Sequence, residues 1–338
     1  MFKGIVRRAG PAFRLLAILL CAAFLVLTLA DLIHPSLQYQ SGSVESMDLP
    51  LANHSLLMDS ITRAPIALLS LIPEQYQVEA GLIAFLPLFA KKLPSETKVQ
   101  IKNSVRELYG AMRRDTEWNR LPSVTGYAAL DLLGISPQRA HAYLYLPRSA
   151  QGHPKGAVLF LHGSLGNLKA YPYLWAEYAE KTQSLIICPS FGFGRWSNEQ
   201  DSIETVLNAL PEELRVPRSK TVIAGLSAGG IGVMRELQRH SDYQAAVFIS
   251  AVLPDSATTA GLAAAWQHKL FLLFNGTEDF LVTEQYAVQK TRDYSSFGAA
   301  LDLFPKENHF LFMSQAPKIF ERLELALAPL TNHGGRTD

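Results

Sequence analysis

The sequence predicts an α/β architecture, a mostly parallel sheet with helices on both faces, over residues 124–330 of a 338-residue chain. Three observations carry it. From residue 124 onward, short apolar, β-branched or aromatic runs alternate with helical stretches, and that alternation demands parallel strands joined by crossover helices. Two of the strand ends run into glycine-rich turns, at His162-Gly163 and at Gly225 to Gly230. A composition of 48% hydrophobic and 18% charged residues excludes a disordered chain and is enough for a sizeable core.

Taken in order, residues 1–14 carry Lys3, Arg7, Arg8 and Arg14 and no acid, and Leu15 to Ala30 carry no charge. Cations ahead of an apolar helix hold the N-terminus on the cytoplasmic side, so the chain beyond the helix is exported. Residues 1–33 are therefore expected to be a membrane anchor or a signal segment, with Thr28-Leu29-Ala30 as a small-x-small cleavage point. The catalytic domain would then be held on the exported side of a membrane, or be secreted or periplasmic after cleavage. Residues 34–123 read as a polar linker to about residue 60, then a helical region over 61–115. Those helices are expected either to pack on the larger domain or to act as a lid over an apolar site.

The strand candidates are His141–Leu146, Ala157–Leu161, Leu185–Cys188, Thr221–Gly225, Ala246–Ser250, Leu270–Phe274 and Ala299–Phe304. The helices between and after them are Leu168–Thr182, Ile203–Leu214, Ala228–His240, Thr283–Thr291 and Ser314–Leu327. Residues 331–338 read as a frayed tail.

Charge and cysteine content narrow the function. Thirty-one Lys and Arg against 30 acids leave a net charge of +1, so no nucleic-acid partner is expected. Two cysteines make neither a disulfide scaffold nor a four-Cys zinc site, and Cys188 reads as a core residue. No His, Asp or Cys cluster has ligand spacing, so no metal and no cofactor are expected. Nothing in the sequence speaks to oligomeric state.

The strongest chemical signal is Gly225-Leu226-Ser227-Ala228-Gly229-Gly230, between a predicted strand and a predicted helix. A serine on such a tight turn projects its hydroxyl at the carboxyl end of the sheet, and the flanking glycines leave room for the turn. The helix after it aims its first amides at charge developing beside the serine. The second signal is Leu161-His162-Gly163-Ser164-Leu165-Gly166-Asn167 after another strand. Its exposed backbone N–H groups suit an oxyanion, and the amides of Ser164 and Ala228 are the candidates. His162 itself reads as a structural residue of the turn.

With these residues the chain resembles the α/β-hydrolase superfamily of serine esterases, over roughly residues 125–330. The resemblance implies an acid and then a histidine after the serine, each at a strand end. Asp279, in Asn275-Gly276-Thr277-Glu278-Asp279-Phe280, fits the acid position best, with Glu278 beside it and Asp255 after the preceding strand as alternatives. His309, in Glu307-Asn308-His309-Phe310, is the histidine in the right loop. Phe191, Phe193 and Trp196 come after a strand and are expected to line an apolar substrate pocket.

The implied chemistry is an acyl-enzyme on Ser227, with His309 as base and Asp279 orienting it. The expected partner is a small-molecule or lipid ester, with membrane contact through the N-terminal helix. A prolyl-oligopeptidase-like peptidase and a thioesterase share this core, and a catalytically silent binding protein on the same fold is the rival from another class.

Overall fold

The computed structural model describes residues 42–333 apart from 52–54, 90–92, 133, 136–138, 191, 193–195, 197–199, 256–259 and 267–268. The anchor or signal segment expected at 1–33 lies outside the described residues. Among those described, no helix is long and apolar enough to cross a membrane.

Eight strands form one sheet: β1 (Val44–Pro50), β2 (Arg139–Tyr145), β3 (Gly156–Leu161), β4 (Ser184–Pro189), β5 (Thr221–Leu226), β6 (Ala245–Ile249), β7 (Leu270–Gly276) and β8 (Ala299–Phe304). Their order is β1-β2-β4-β3-β5-β6-β7-β8. β2 runs antiparallel to β1 and β4, and β3 to β8 are mutually parallel. This is the mostly parallel sheet of the α/β-hydrolase fold that the resemblance implied. From β3 the chain crosses one way to β4 and then back past β3 to β5, so the winding reverses at the carboxyl ends of β3 and β5. Crevices open at such reversals.

The strands β3 to β6 are apolar at nearly every position because both faces are covered. Val158, Phe160, Val222, Ala224 and Val247 face one core, and Leu159, Leu161, Ile223, Ala246 and Phe248 face the other. The first core is closed by α6 (Ala170–Thr182) and α11 (Leu311–His333), the second by α7 (Gln200–Ala209), α8 (Gly229–Arg239) and α9 (Ala260–Trp266), while α10 (Glu284–Asp293) packs on β7 and β8. The last helix carries on to His333, past the start of the expected tail, and contains Pro317 and Pro329.

Among its described residues, the polar linker expected to residue 60 is ordered into a strand and the start of a helix. Val44–Pro50 is the edge strand β1, in register from Val44 opposite Tyr145 to Pro50 opposite Arg139. An edge strand packs few of its side chains, here Val44 and Met47. Its sequence therefore looks polar, and pairing with β2 supplies its hydrogen bonds.

Helices α1 (Leu56–Ser70), α2 (Glu74–Phe89), α3 (Ser95–Met112), α4 (Thr116–Arg120) and α5 (Gly126–Leu132) precede β2. The boundary expected at residue 124 is no break in packing, since Val78, Leu82, Ile101, Val105 and Trp118 share one core with Phe160 and Trp175. Ile101, Val105, Tyr109 and Met112 give α3 its buried face, and each such side chain contributes about 1.5–3 kcal/mol. Of the two arrangements expected for these helices, α3 takes the first and packs on the domain.

Glu74, buried on the first turn of α2, accepts from Tyr109 Oη at 2.5 Å and from the Lys169 amide at 3.0 Å. It thereby ties two N-terminal helices to the start of α6. Burial raises its pKa above the ordinary carboxylate value. Arg139 on β2 and Asp59 on α1 form a buried ion pair at 3.1 Å.

Candidate active site

The site sits where the winding reverses. Ser227 comes directly after β5 with φ of +53°, a left-handed conformation that costs a non-glycine residue about 1–3 kcal/mol. The surroundings hold it there. Its N–H donates to Ile249 O at 3.1 Å, and its carbonyl accepts from Gly230 N at 3.1 Å and Val252 N at 2.9 Å. The flanking glycines are steric necessities. A Cβ on Gly225 would lie 2.7 Å from the Gly229 carbonyl, and one on Gly229 would collide with the Leu161 carbonyl. The helix α8 then starts at once, with Ala228 at its N-cap.

Asp279 and His309 come from the next loops along the sheet, after β7 and β8. Asp279 Oδ1 accepts from the amides of Leu281 at 2.9 Å and Val282 at 2.8 Å. Both its oxygens lie 3.0 Å from His309 Nδ1. On the far side of the ring, His309 Nε2 lies 3.0 Å from Ser227 Oγ. Asp279 and His309 are buried. Two carboxylate oxygens on Nδ1 fix the proton there and leave Nε2 as the acceptor facing the serine. The alternative acids stand apart. The Asp255 side chain is 91% exposed and pairs with Lys290 at 3.0 Å, while Glu278 is exposed.

Ser227 and His309 open onto an apolar cavity of about 310 Å³, with Asp279 behind the histidine. Ser164 and Ala228, the expected oxyanion donors, line it together with Ser227 and His309. Among the described residues neither amide is used in the backbone hydrogen bonding of the turns. Gly163 lies against the serine, where a Cβ would come within 2.9 Å of Ser227 Cβ. His162 is fully buried and its Nδ1 lies 2.7 Å from Gly163 O. Burial pulls its pKa down to about 4, so it is neutral, as a structural residue of the turn should be.

Of the aromatic pocket expected from Phe191, Phe193 and Trp196, only Trp196 falls among the described residues. Phe191 and Phe193 lie outside the described residues. Trp196 is 3% exposed and packed beneath the turn, not in the pocket. Its Nε1 donates to His162 O at 2.9 Å, its ring lies 5.2 Å from the His162 ring, and the absent side chain of Gly232 makes room for it. Apolar character after a strand end did not tell a pocket wall from a core plug. Among the described residues, the cavity walls include Leu82, Val252, Leu281, Phe310 and Met313. Leu281 stands two residues after Asp279 and Phe310 directly after His309, so both were within reach of the motif. Leu82 sits on α2, far along the chain, and nothing in its local sequence marked it.

A second histidine–serine pair is buried on the antiparallel side of the sheet. His141 Nδ1 lies 2.8 Å from Ser190 Oγ, and its Nε2 lies 2.8 Å from Ser46 Oγ. Asn167 Nδ2 donates to Ser190 Oγ at 3.0 Å. Burial lowers the His141 pKa to about 3, and none of these residues lines the cavity. They form a structural clasp joining β1, β2, β4 and the turn after β3.

No family model matches the chain, and no curated protein matches it. Solved structures similar to it include a ferulic acid esterase, at 18% identity over 55% of this chain and 91% of that one, with a TM-score of 0.43. Est1E from Butyrivibrio proteoclasticus is similar at 15% identity over 56% of this chain and 95% of its own, with a TM-score of 0.45. Esterase 2 of Thermogutta terrifontis, in its native form, is similar at 18% identity over 59% and 89%, with a TM-score of 0.41. Each covers little more than half of this chain.

Proposed function

We propose that the protein is a serine hydrolase that cleaves carboxylic esters with apolar limbs. The observation that carries this is the continuous Ser227–His309–Asp279 hydrogen-bond relay opening into an apolar cavity. A serine hydroxyl is a poor nucleophile at neutral pH, and an oriented imidazole at 3.0 Å is what activates one.

His309 Nε2 takes the Ser227 proton as Oγ attacks the ester carbonyl. The carbonyl π electrons move to oxygen, and the amides of Ser164 and Ala228 stabilise the resulting oxyanion. Collapse breaks the bond to the alcohol oxygen, which leaves with the proton from His309, and an acyl-Ser227 remains. Water, deprotonated by His309, repeats the sequence, releases the acid and restores the serine. Asp279 stabilises the imidazolium throughout without being protonated.

The apolar lining favours a small or lipid-like ester over a peptide, whose backbone would need polar partners. The intact relay favours an enzyme over a silent binding protein. The sequence of residues 1–33 supports an anchored or exported location.

The test is labelling with a fluorophosphonate, then turnover of p-nitrophenyl esters. The folded protein should be labelled and turn esters over, and Ser227→Ala should lose the label and at least about 10³-fold in kcat. Label retained by Ser227→Ala would remove that serine as nucleophile. A folded protein that neither labels nor cleaves any ester or thioester would leave the binding-protein reading standing.

A further inference from the structure

A second apolar cavity of about 340 Å³ lies behind the oxyanion turn. Its walls include Ile72 just before α2, Tyr76 and Val78 in the first turns of that helix, Ala128 and Ala129 on α5, and Leu165. Leu165 and Ser164 line both this cavity and the catalytic one. The two spaces are thus neighbours separated by one turn, whose Ser164 amide is an assigned oxyanion donor. At the outer end, Ile72 is 45% exposed and Tyr76 54% exposed, so the cavity opens through an apolar lip. Apolar side chains are left exposed singly on most surfaces, but here they surround a concave space beside a nucleophile.

We propose that this second cavity is the subsite for the acyl limb of the ester, and that Leu165 is the throat through which that limb passes. The proposal rests on the ester-hydrolase reading. The assignment of the limb comes from the chemistry of the leaving group. His309 must reach the departing alcohol oxygen to protonate it. The alcohol limb therefore leaves on the His309 side, where Leu281, Val282, Phe310 and Met313 line the catalytic cavity. None of those four lines the second cavity. The acyl limb points away from His309, and the second cavity lies off the oxyanion turn, on a side that shares no residue with the His309 loop. The substrate class is an ester whose acyl chain is too long for the catalytic cavity alone. Each methylene transferred from water to such a space is worth about fourfold in kcat/KM while it still finds room.

The experiment uses the full chain and two wall substitutions at exposed helical positions, Ala80→Trp on α2 and Ala129→Trp on α5, both lining the second cavity. Leu325→Trp, at an exposed position on α11, is the control for adding an indole. One series keeps the p-nitrophenyl leaving group and lengthens the acyl chain from acetate to decanoate. The other keeps acetate and enlarges the alcohol from p-nitrophenol to 2-naphthol. Each wall variant should lower the decanoate-to-acetate ratio of kcat/KM at least tenfold, leave the alcohol series where it was, and differ in this from Leu325→Trp. An unchanged ratio in variants that still take the fluorophosphonate label would overturn the proposal. So would a loss confined to the alcohol series. Absence of labelling in the parent protein is a separate result, which defeats the ester-hydrolase reading itself.

Discussion

Replacing Asp279 by asparagine should disable His309 through the wrong tautomer, and the geometry sets the size of the effect. Asp279 Oδ1 accepts from two backbone amides, Leu281 at 2.9 Å and Val282 at 2.8 Å. An asparagine must place its carbonyl oxygen there, because an NH₂ group would face two donors. Its NH₂ then takes the place of Oδ2, 3.0 Å from His309 Nδ1, and donates to it. The imidazole is left with its proton on Nε2, facing Ser227 Oγ, where it cannot accept. Recovering the working tautomer means flipping the amide and leaving both backbone N–H donors unpaired, at about 1–3 kcal/mol each. That total of about 2–6 kcal/mol corresponds to a loss of about 30-fold to about 10⁴-fold in kcat/KM, at about 1.4 kcal/mol per decade. The assay is p-nitrophenyl acetate turnover near neutral pH, with thermal melting to show that the variant is folded. A folded Asp279→Asn protein within tenfold of the parent would refute the role given to Asp279 and to the two amides behind it.

The remaining predictions concern buried titratable groups. Burial raises the Glu74 pKa, so its contribution to stability is full below the unfolded value and is lost as pH rises through the folded one. Glu74→Gln, which still accepts from Tyr109 and Lys169, should therefore gain on the parent in urea unfolding as pH rises from about 5 to about 8. Glu74→Ala should lose about 2–4 kcal/mol at both, by leaving two donors unpaired. A Gln variant with no pH trend would show that burial does not raise the Glu74 pKa. Burial lowers His141 to about 3 and His162 to about 4. Their contribution is present above about pH 6.5 and is lost as pH falls through the folded values, because the unfolded chain takes up protons first. Near pH 5, between the unfolded and folded values, the pair should add a slope approaching about 2.7 kcal/mol per pH unit. His141→Gln should halve that slope in denaturant titrations. Equal slopes in the variant and the parent would contradict a neutral buried His141.

The sequence by itself determined the alternation of strand and helix and the place of each chemical group. Ser227 needs its flanking glycines because a tight strand-to-helix turn leaves no space for a Cβ, and that constraint is local enough to be written in consecutive residues. Asp279 and His309 were legible for a related reason, since each occupies the loop directly after an apolar strand, and parallel strands bring such loops to one edge. The element ends moved by a few residues, as at Ala209, where Leu210-Pro211 stops α7 short of the expected Leu214.

Only the tertiary structure decided what surrounds those groups. Val44–Pro50 looked like a linker because an edge strand has few buried side chains, and its stability comes from a partner strand, β2, far along the chain. Trp196 looked like a pocket wall because an apolar side chain has the same character in a core as at a site. Its packing against His162 and Gly232 settled the matter. Leu82 and the second cavity had no local signal at all. A cavity is the space between elements distant in sequence, here α2, α5 and the turn after β3, and no run of residues encodes the distance between them.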